Sequence, residues 1–324
     1  MIAIVLIGIA AGAASALMFA SIVSGALISL VLFNLAPLPL MVAAIGWGPL
    51  TAAIGGVAAA SVFGLLFGLP FAIAYATTAA LPAWWLGHLA LLGRPAPNAG
   101  PAGNGAAPPA DAMEWYPTGR LLLWIAGIAA LLAFVTLLTI GTDSEAIAAA
   151  MKRGFARMAR MFALRGVTID EGMIDTMTAM APAAFPTGPI LVLTVNLWLA
   201  GRIVRTSGRL TRPWPDLKAS ALPPMTLVAL CVAIAFCFTG GLLSIFAKAV
   251  TGALLTAYAL TGLAVLHTLT LALSNRTIWL VFSYAIMIFL FWPLFAMTLL
   301  GLADALFGLR ERFLRTRPPP LPTA

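Results

Sequence analysis

Residues 34–49 read NLAPLPLMVAAIGWGP. The stretch lies inside Met1–Gly93, a run with no Lys, Arg, Asp or Glu, and the first formally charged side chain is Arg94. A spanning helix needs about 20 apolar residues, so the run holds up to four spans. Within it, Pro37 and Pro39 each remove a backbone donor, and Gly46 and Gly48 flank Trp47. Broken backbone at membrane depth survives only where protein or a cavity surrounds it. The expectation is an all-α, polytopic transmembrane helical bundle of eight or nine spans with a broken second span.

Composition agrees. The chain has 324 residues, 62% hydrophobic and 9% charged, against roughly a quarter charged in a soluble domain. The formal net charge is +8. The basic residues gather at the ends of apolar segments, which suits orientation by positive loops and contact with membrane lipid. No aromatic–basic interleaving suits base stacking, so nucleic acid is not an expected partner. Cys231 and Cys237 sit six apart in one apolar segment. On a helix they point about 240° apart, which forbids a disulfide between them.

The chain reads as one integral membrane domain, residues 1–324. The uncharged block 1–93 carries spans near Ile2–Ala20, Ile22–Ile45, Leu50–Gly68 and Pro70–Leu92, although the first two could be one long tilted helix. A Pro/Gly loop over 94–119 follows, with Trp115 and Tyr116 at headgroup level, then a span over 120–140. Residues 141–182 form interfacial helices. Asp143 or Ser144 caps the first, with Ile147, Met151, Phe155, Met158 and Phe162 on one face and Arg153, Arg157 and Arg160 on another. This pair is either a lid over a membrane site or a surface connector. Four spans over 187–306 follow (near Gly188–Leu199, Met225–Thr239, Ser244–Leu273 and Ile278–Leu300), then a basic, Pro-rich tail over 307–324. The 202–218 loop and the tail both look cytoplasmic, yet three spans between them put them on opposite sides. The denser tail is assigned to the cytoplasm, and the Ala, Gly, Arg and Pro richness suits a bacterial inner membrane.

Motif chemistry excludes several classes. With only His88 and His267, HExxH is impossible, and no Lys precedes Ser or Thr as a P-loop requires. No GxSG serine and no intramembrane aspartate pair occur. The expectation is no enzyme, no catalytic residue, no metal and no cofactor. What remains is a few polar groups at membrane depth, which are functional candidates because burial in hydrocarbon is costly. Asn34, Pro37, Pro39 and Trp47 at the break, with a His267–Thr270 polar spot, are the expected ligand-binding set. Ala10/Ala14 and Ala16/Ala20 are small-residue pairs for partner docking, or else ordinary packing.

Two further segments carry a resemblance. LTGLAVLHTLTLALSNR (260–276) and GLADALFGLRERF (301–313), with the early PLPLMVAAIGWGP, resemble the YybS-like bacterial membrane proteins, a domain-of-unknown-function family. The matching positions are Gly262, His267, Gly301, Asp304, Arg310 and Arg312. That family is distantly similar to the substrate-capture subunits of energy-coupling-factor transporters. The resemblance implies a small-molecule substrate-binding or transport component with separate ATPase subunits as partners. The alternative is a non-transport scaffold in envelope assembly or division.

Overall fold

Apolar runs of about 20 residues form helices because within lipid a single segment satisfies its own backbone only as a helix. The computed structural model describes residues 1–96, 113–290 and 293–316. In chain order the helices are α1 (Ile2–Ala20), α2 (Leu27–Asn34), α3 (Pro37–Trp47), α4 (Pro49–Phe67), α5 (Leu69–Tyr75) and α6 (Leu81–Ala90). A two-stranded antiparallel ladder, β1 (Gly93–Pro95) with β2 (Met113–Trp115), leads to α7 (Thr118–Ile140). Then come α8 (Ser144–Ala163), α9 (Glu171–Ala184), α10 (Thr187–Thr206), α11 (Met225–Phe236) and α12 (Gly241–Leu269). The last three are α13 (Arg276–Phe289), α14 (Pro293–Phe307) and α15 (Leu309–Thr316).

Among the described residues, seven helical stretches are long and apolar enough to cross a bilayer, or eight if α14 and α15, bent by 68°, count as one. The protein is a multi-pass membrane protein. Its outward faces agree: Leu6, Leu17, Ile28, Leu65 and Leu66 are exposed, as lipid permits and water does not. The first two spans are separate, because Gly25 takes a left-handed φ of 68° between them.

By their contacts the helices group into two compact units. Unit 1 comprises residues 1–128 and 191–215, and unit 2 comprises residues 129–190 and 216–324. In unit 1, α3 packs on α1, α4 and α6, burying Leu40, Met41, Ala44, Leu86 and Tyr75. In unit 2, α12 packs on α9, α11 and α14. Small residues set these crossings. A Cβ on Gly252 would overlap the Ala183 carbonyl oxygen, and one on Gly262 that of Met297.

Three expectations change. The 94–119 loop is not wholly irregular, since its ends pair and Arg94 bonds Glu114 at 2.7 Å; residues 97–112 lie outside the described residues, as do 317–324 of the tail. The expected seventh span is α11, of only 12 residues, and the ninth is divided into α13 and α14, with Pro293 at the start of the latter. Four helices, not three spans, lie between residues 220 and 310, and Arg310 reaches the Lys218 and Ser220 carbonyls at 2.6 and 3.0 Å. The start of α15 therefore lies against the residues that follow the 202–218 loop.

Candidate functional site

The break between α2 and α3 is closed rather than open. Pro37 and Pro39 cannot donate to Phe33 and Leu35. Instead, Ala36 N–H bonds the Phe33 oxygen at 3.2 Å and Leu38 N–H bonds Leu35 at 2.9 Å. Leu38 is thereby taken from Asn34, whose carbonyl accepts from Asn196 Nδ2 at 2.8 Å. Ala36 O, at the N-cap of α3, takes the Ser15 hydroxyl at 2.6 Å, and Ser15 accepts from the Tyr75 hydroxyl at 2.9 Å. Ser15, Ala36 and Tyr75 are fully buried and Asn196 nearly so. The Asn34 side chain donates at 2.7 Å to Leu30 of its own helix. The expected ligand set at Asn34, Pro37 and Pro39 is therefore a joint whose polar groups are mostly engaged. Asn196 Oδ1 alone among these side-chain atoms is buried without a partner among the described residues. Trp47, the fourth member, lies beneath the Arg209 guanidinium at 4.5 Å.

The His267–Thr270 spot does not form between side chains. Thr270 Oγ1 donates back to Leu266 O at 2.8 Å, the usual preference of a helical Thr. His267 Nε2 meets the Tyr284 hydroxyl at 2.7 Å instead. Asn34 belongs to unit 1 and His267 to unit 2.

Of the positions that carried the resemblance, Gly262, Gly301, Asp304 and Arg310 make packing or turn contacts. Gly301 meets the Tyr258 carbonyl oxygen as Gly262 meets that of Met297, which lets α12 and α14 touch backbone to backbone. Asp304 and Arg310 form an ion pair at 2.7 Å, their side chains 9% and 12% exposed. Asp304 Oδ1 also accepts the Arg310 N–H at 2.9 Å. The pair locks the turn at Gly308, whose φ is 62°. Arg312 lies in α15. On α1, Gly8 and Gly12 are the residues that close on a neighbour, against Thr51 and Gly55 of α4. Ala10 is exposed, and Ala14, Ala16 and Ala20 are half-buried.

Unit 2 carries a cleft that the sequence did not single out. It has a volume of about 450 Å³ and lies among α8, α9 and the start of α12, within the range of small-molecule sites. Asp143 Oδ1 caps α8 through Ala146 N–H at 2.8 Å, and Asp170 Oδ1 caps α9 through Met173 N–H at 2.7 Å. Ile147 and Met151 are buried with Leu137, Ala181 and Ile245. Arg153, Arg157 and Arg160 are exposed, as the amphipathic pattern requires. Lys152 joins the two helices, 2.6 Å from Asp175 and 3.6 Å from Glu171. The hydrogen bond to Asp175 raises the Lys152 pKa above the usual lysine value, with the charges of Asp175 and Glu171 adding to it. Ser244, Thr178 and Lys248 complete the polar lining. Lys248 is half-buried and makes no ion pair or hydrogen bond among the described residues. The sequence signal for the cleft was the opposite charges on two short capped helices, Lys152 and Asp175, facing each other across the turn at Gly166.

Comparisons with protein-family profiles, curated proteins and solved structures find no match for this chain.

Proposed function

We propose that this membrane protein is a small-molecule substrate-binding or transport component of a bacterial cytoplasmic membrane, with its ligand in the cleft of unit 2. One observation carries the reading: a half-buried, unpaired Lys248 faces a cleft walled by Ile147, Met151 and Ile245. An unpaired ammonium beside apolar walls favours a ligand with one anionic group and an apolar body. The pair α8–α9, tied by Lys152 and Asp175, serves as the lid. The chain has no P-loop lysine, so on this reading any energy input comes from separate ATPase subunits.

The test is thermal melting of the purified full-length protein with a panel of carboxylates and organic phosphates of graded chain length. Stabilisation by at least one amphiphilic anion is expected, and Lys248→Met should abolish it while leaving the ligand-free melting point within about 2 °C, as for a half-exposed site. A panel without effect on the wild-type protein, together with co-purification of envelope-assembly proteins, would replace this reading with the scaffold role.

A further inference from the structure

The end of α10 in unit 1 carries a second group of unneutralised cations. Gly208 takes a left-handed φ of 67° and donates to Arg205 O at 3.0 Å, while Arg209 N–H bonds Val204 O at 3.0 Å. This closes the helix and sends the chain back along it. Trp214 then lies on Gly201, where a Cβ would meet its ring at 3.4 Å. The ring takes the Arg202 and Arg205 guanidinium carbons at 5.8 and 5.3 Å. Arg202 also lies 5.7 Å from Trp198, and Arg209 stacks 4.5 Å from Trp47. Arg212 lies 5.9 Å from Trp115 and donates to the Ala90 and Tyr116 carbonyls at 3.1 and 3.4 Å.

These contacts gather the ends of α3, α6 and α10 and the start of α7. Alternating passes place all four on one face of a membrane, at the depth where tryptophan belts and lipid phosphates lie. Charge balance is the decisive feature. Among the described residues of unit 1, Glu114 is the one carboxylate, and Arg94 holds it at 2.7 Å. Arg202, Arg205 and Arg209 make no ion pair or side-chain hydrogen bond among the described residues; their charged groups rest on indole faces alone. A stacked guanidinium keeps its in-plane N–H edge free, and that edge matches two oxygens of a phosphate. Burying the faces against Trp removes rotamer freedom before any anion arrives.

We infer that Arg202, Arg205 and Arg209, held by Trp47, Trp198 and Trp214, form a platform for a phosphate group, supplied either by an anionic phospholipid headgroup or by free phosphate. This does not depend on the ligand of the unit 2 cleft.

The experiment is native mass spectrometry of the full-length protein released from micelles with equal phosphatidylglycerol and phosphatidylcholine. Selective retention of phosphatidylglycerol is expected, weakened about fivefold for each arginine changed to Gln at positions 202, 205 and 209. Trp214→Leu, which keeps every charge, should weaken it about threefold, with Trp214→Phe restoring most of the loss. A parallel arm adds inorganic phosphate. Displacement of the lipid at millimolar phosphate supports the platform with phosphate itself as the recognised group; retention against phosphate supports it with the lipid as source. Equal retention of both lipids overturns the inference, as does unchanged selectivity in the triple variant. Should the triple variant fail to fold, Arg205→Gln alone with a salt titration decides the matter in the same terms.

Discussion

Ser15→Ala tests the joint at the α2–α3 break. Ser15 Oγ donates to Ala36 O at 2.6 Å and accepts from the Tyr75 hydroxyl at 2.9 Å, with all three residues buried. Tyr75 is also packed between Phe19 and Phe63, ring centres 5.3 and 5.1 Å away, so its hydroxyl cannot swing to water. The substitution therefore leaves a buried O–H without an acceptor and removes a donor from Ala36. An orphaned buried polar group costs about 1–3 kcal/mol, and a net loss near 2 kcal/mol is expected. At about 2–4 °C per kcal/mol for a larger domain, melting in mild detergent should fall by roughly 4–8 °C. Tyr75→Phe removes the donor but leaves Ser15 bonded to Ala36, so it should cost only about 1 kcal/mol. The double variant has no orphaned hydroxyl. It should be no less stable than Ser15→Ala alone, giving a coupling of about 1 kcal/mol in a double-mutant cycle. Strict additivity, or a Ser15→Ala variant as stable as the wild type, would refute the view that side chains close the break.

Arg310→Met strands the Asp304 carboxylate, whose side chain is 9% exposed, and should cost about 3 kcal/mol, with Asp304→Asn in the same chain recovering part of it; thermal melting reads both. Gly262→Val should lower melting by the equivalent of about 2 kcal/mol, because its side chain would enter the Met297 backbone, whereas Gly154→Ala, in open space on α8, should raise it slightly. Lys152 has a folded pKa above its ordinary value, so its contribution is full below the ordinary lysine range and lost as pH rises through the folded value. Spin labels on α8 and α9 should accordingly keep one separation between about pH 6 and pH 9 and move apart above the lysine range; in Lys152→Met they should be apart throughout, and an unchanged separation in that variant would count against the clasp.

The helical bundle was legible because apolar length and proline position are local properties. The same is true of α8, whose cap at Asp143 and buried Ile147 and Met151 follow from spacing. Partner identity was not legible. The joint draws Ser15 to Ala36, Tyr75 to Ser15 and Asn196 to Asn34 across 21, 60 and 162 positions, and no periodicity encodes such pairings. His267 and Thr270 share a helical face, which suggested one polar spot. A helical Thr bonds its own preceding turn more readily, so that inference from spacing failed. The division of the expected ninth span was missed for a different reason. Pro293 was read as a kink inside one span, but it begins a helix, and a proline suits the first turn of a helix as well as it kinks one, so its position alone did not separate the two.

These outcomes bear on where ligand chemistry can lie. A hydroxyl or amide inside a bilayer has few partners besides backbone, and a broken helix offers several free carbonyls. Ser15, Asn34, Thr270 and most of Asn196 are engaged in that way, which lowers their value as ligand contacts while explaining their presence. Among the described residues, spare bonding capacity beside apolar or aromatic walls is found on Lys248, eight positions into α12, and on Arg202, Arg205 and Arg209 at the end of α10. A cation is harder to satisfy with a single carbonyl than an amide is, and apolar or aromatic walls fix its place without neutralising it. On the two proposals above, both sites would favour anions by the same argument, and within unit 1 the membrane-depth joint that first drew notice holds α1, α2, α3, α5 and α10 together.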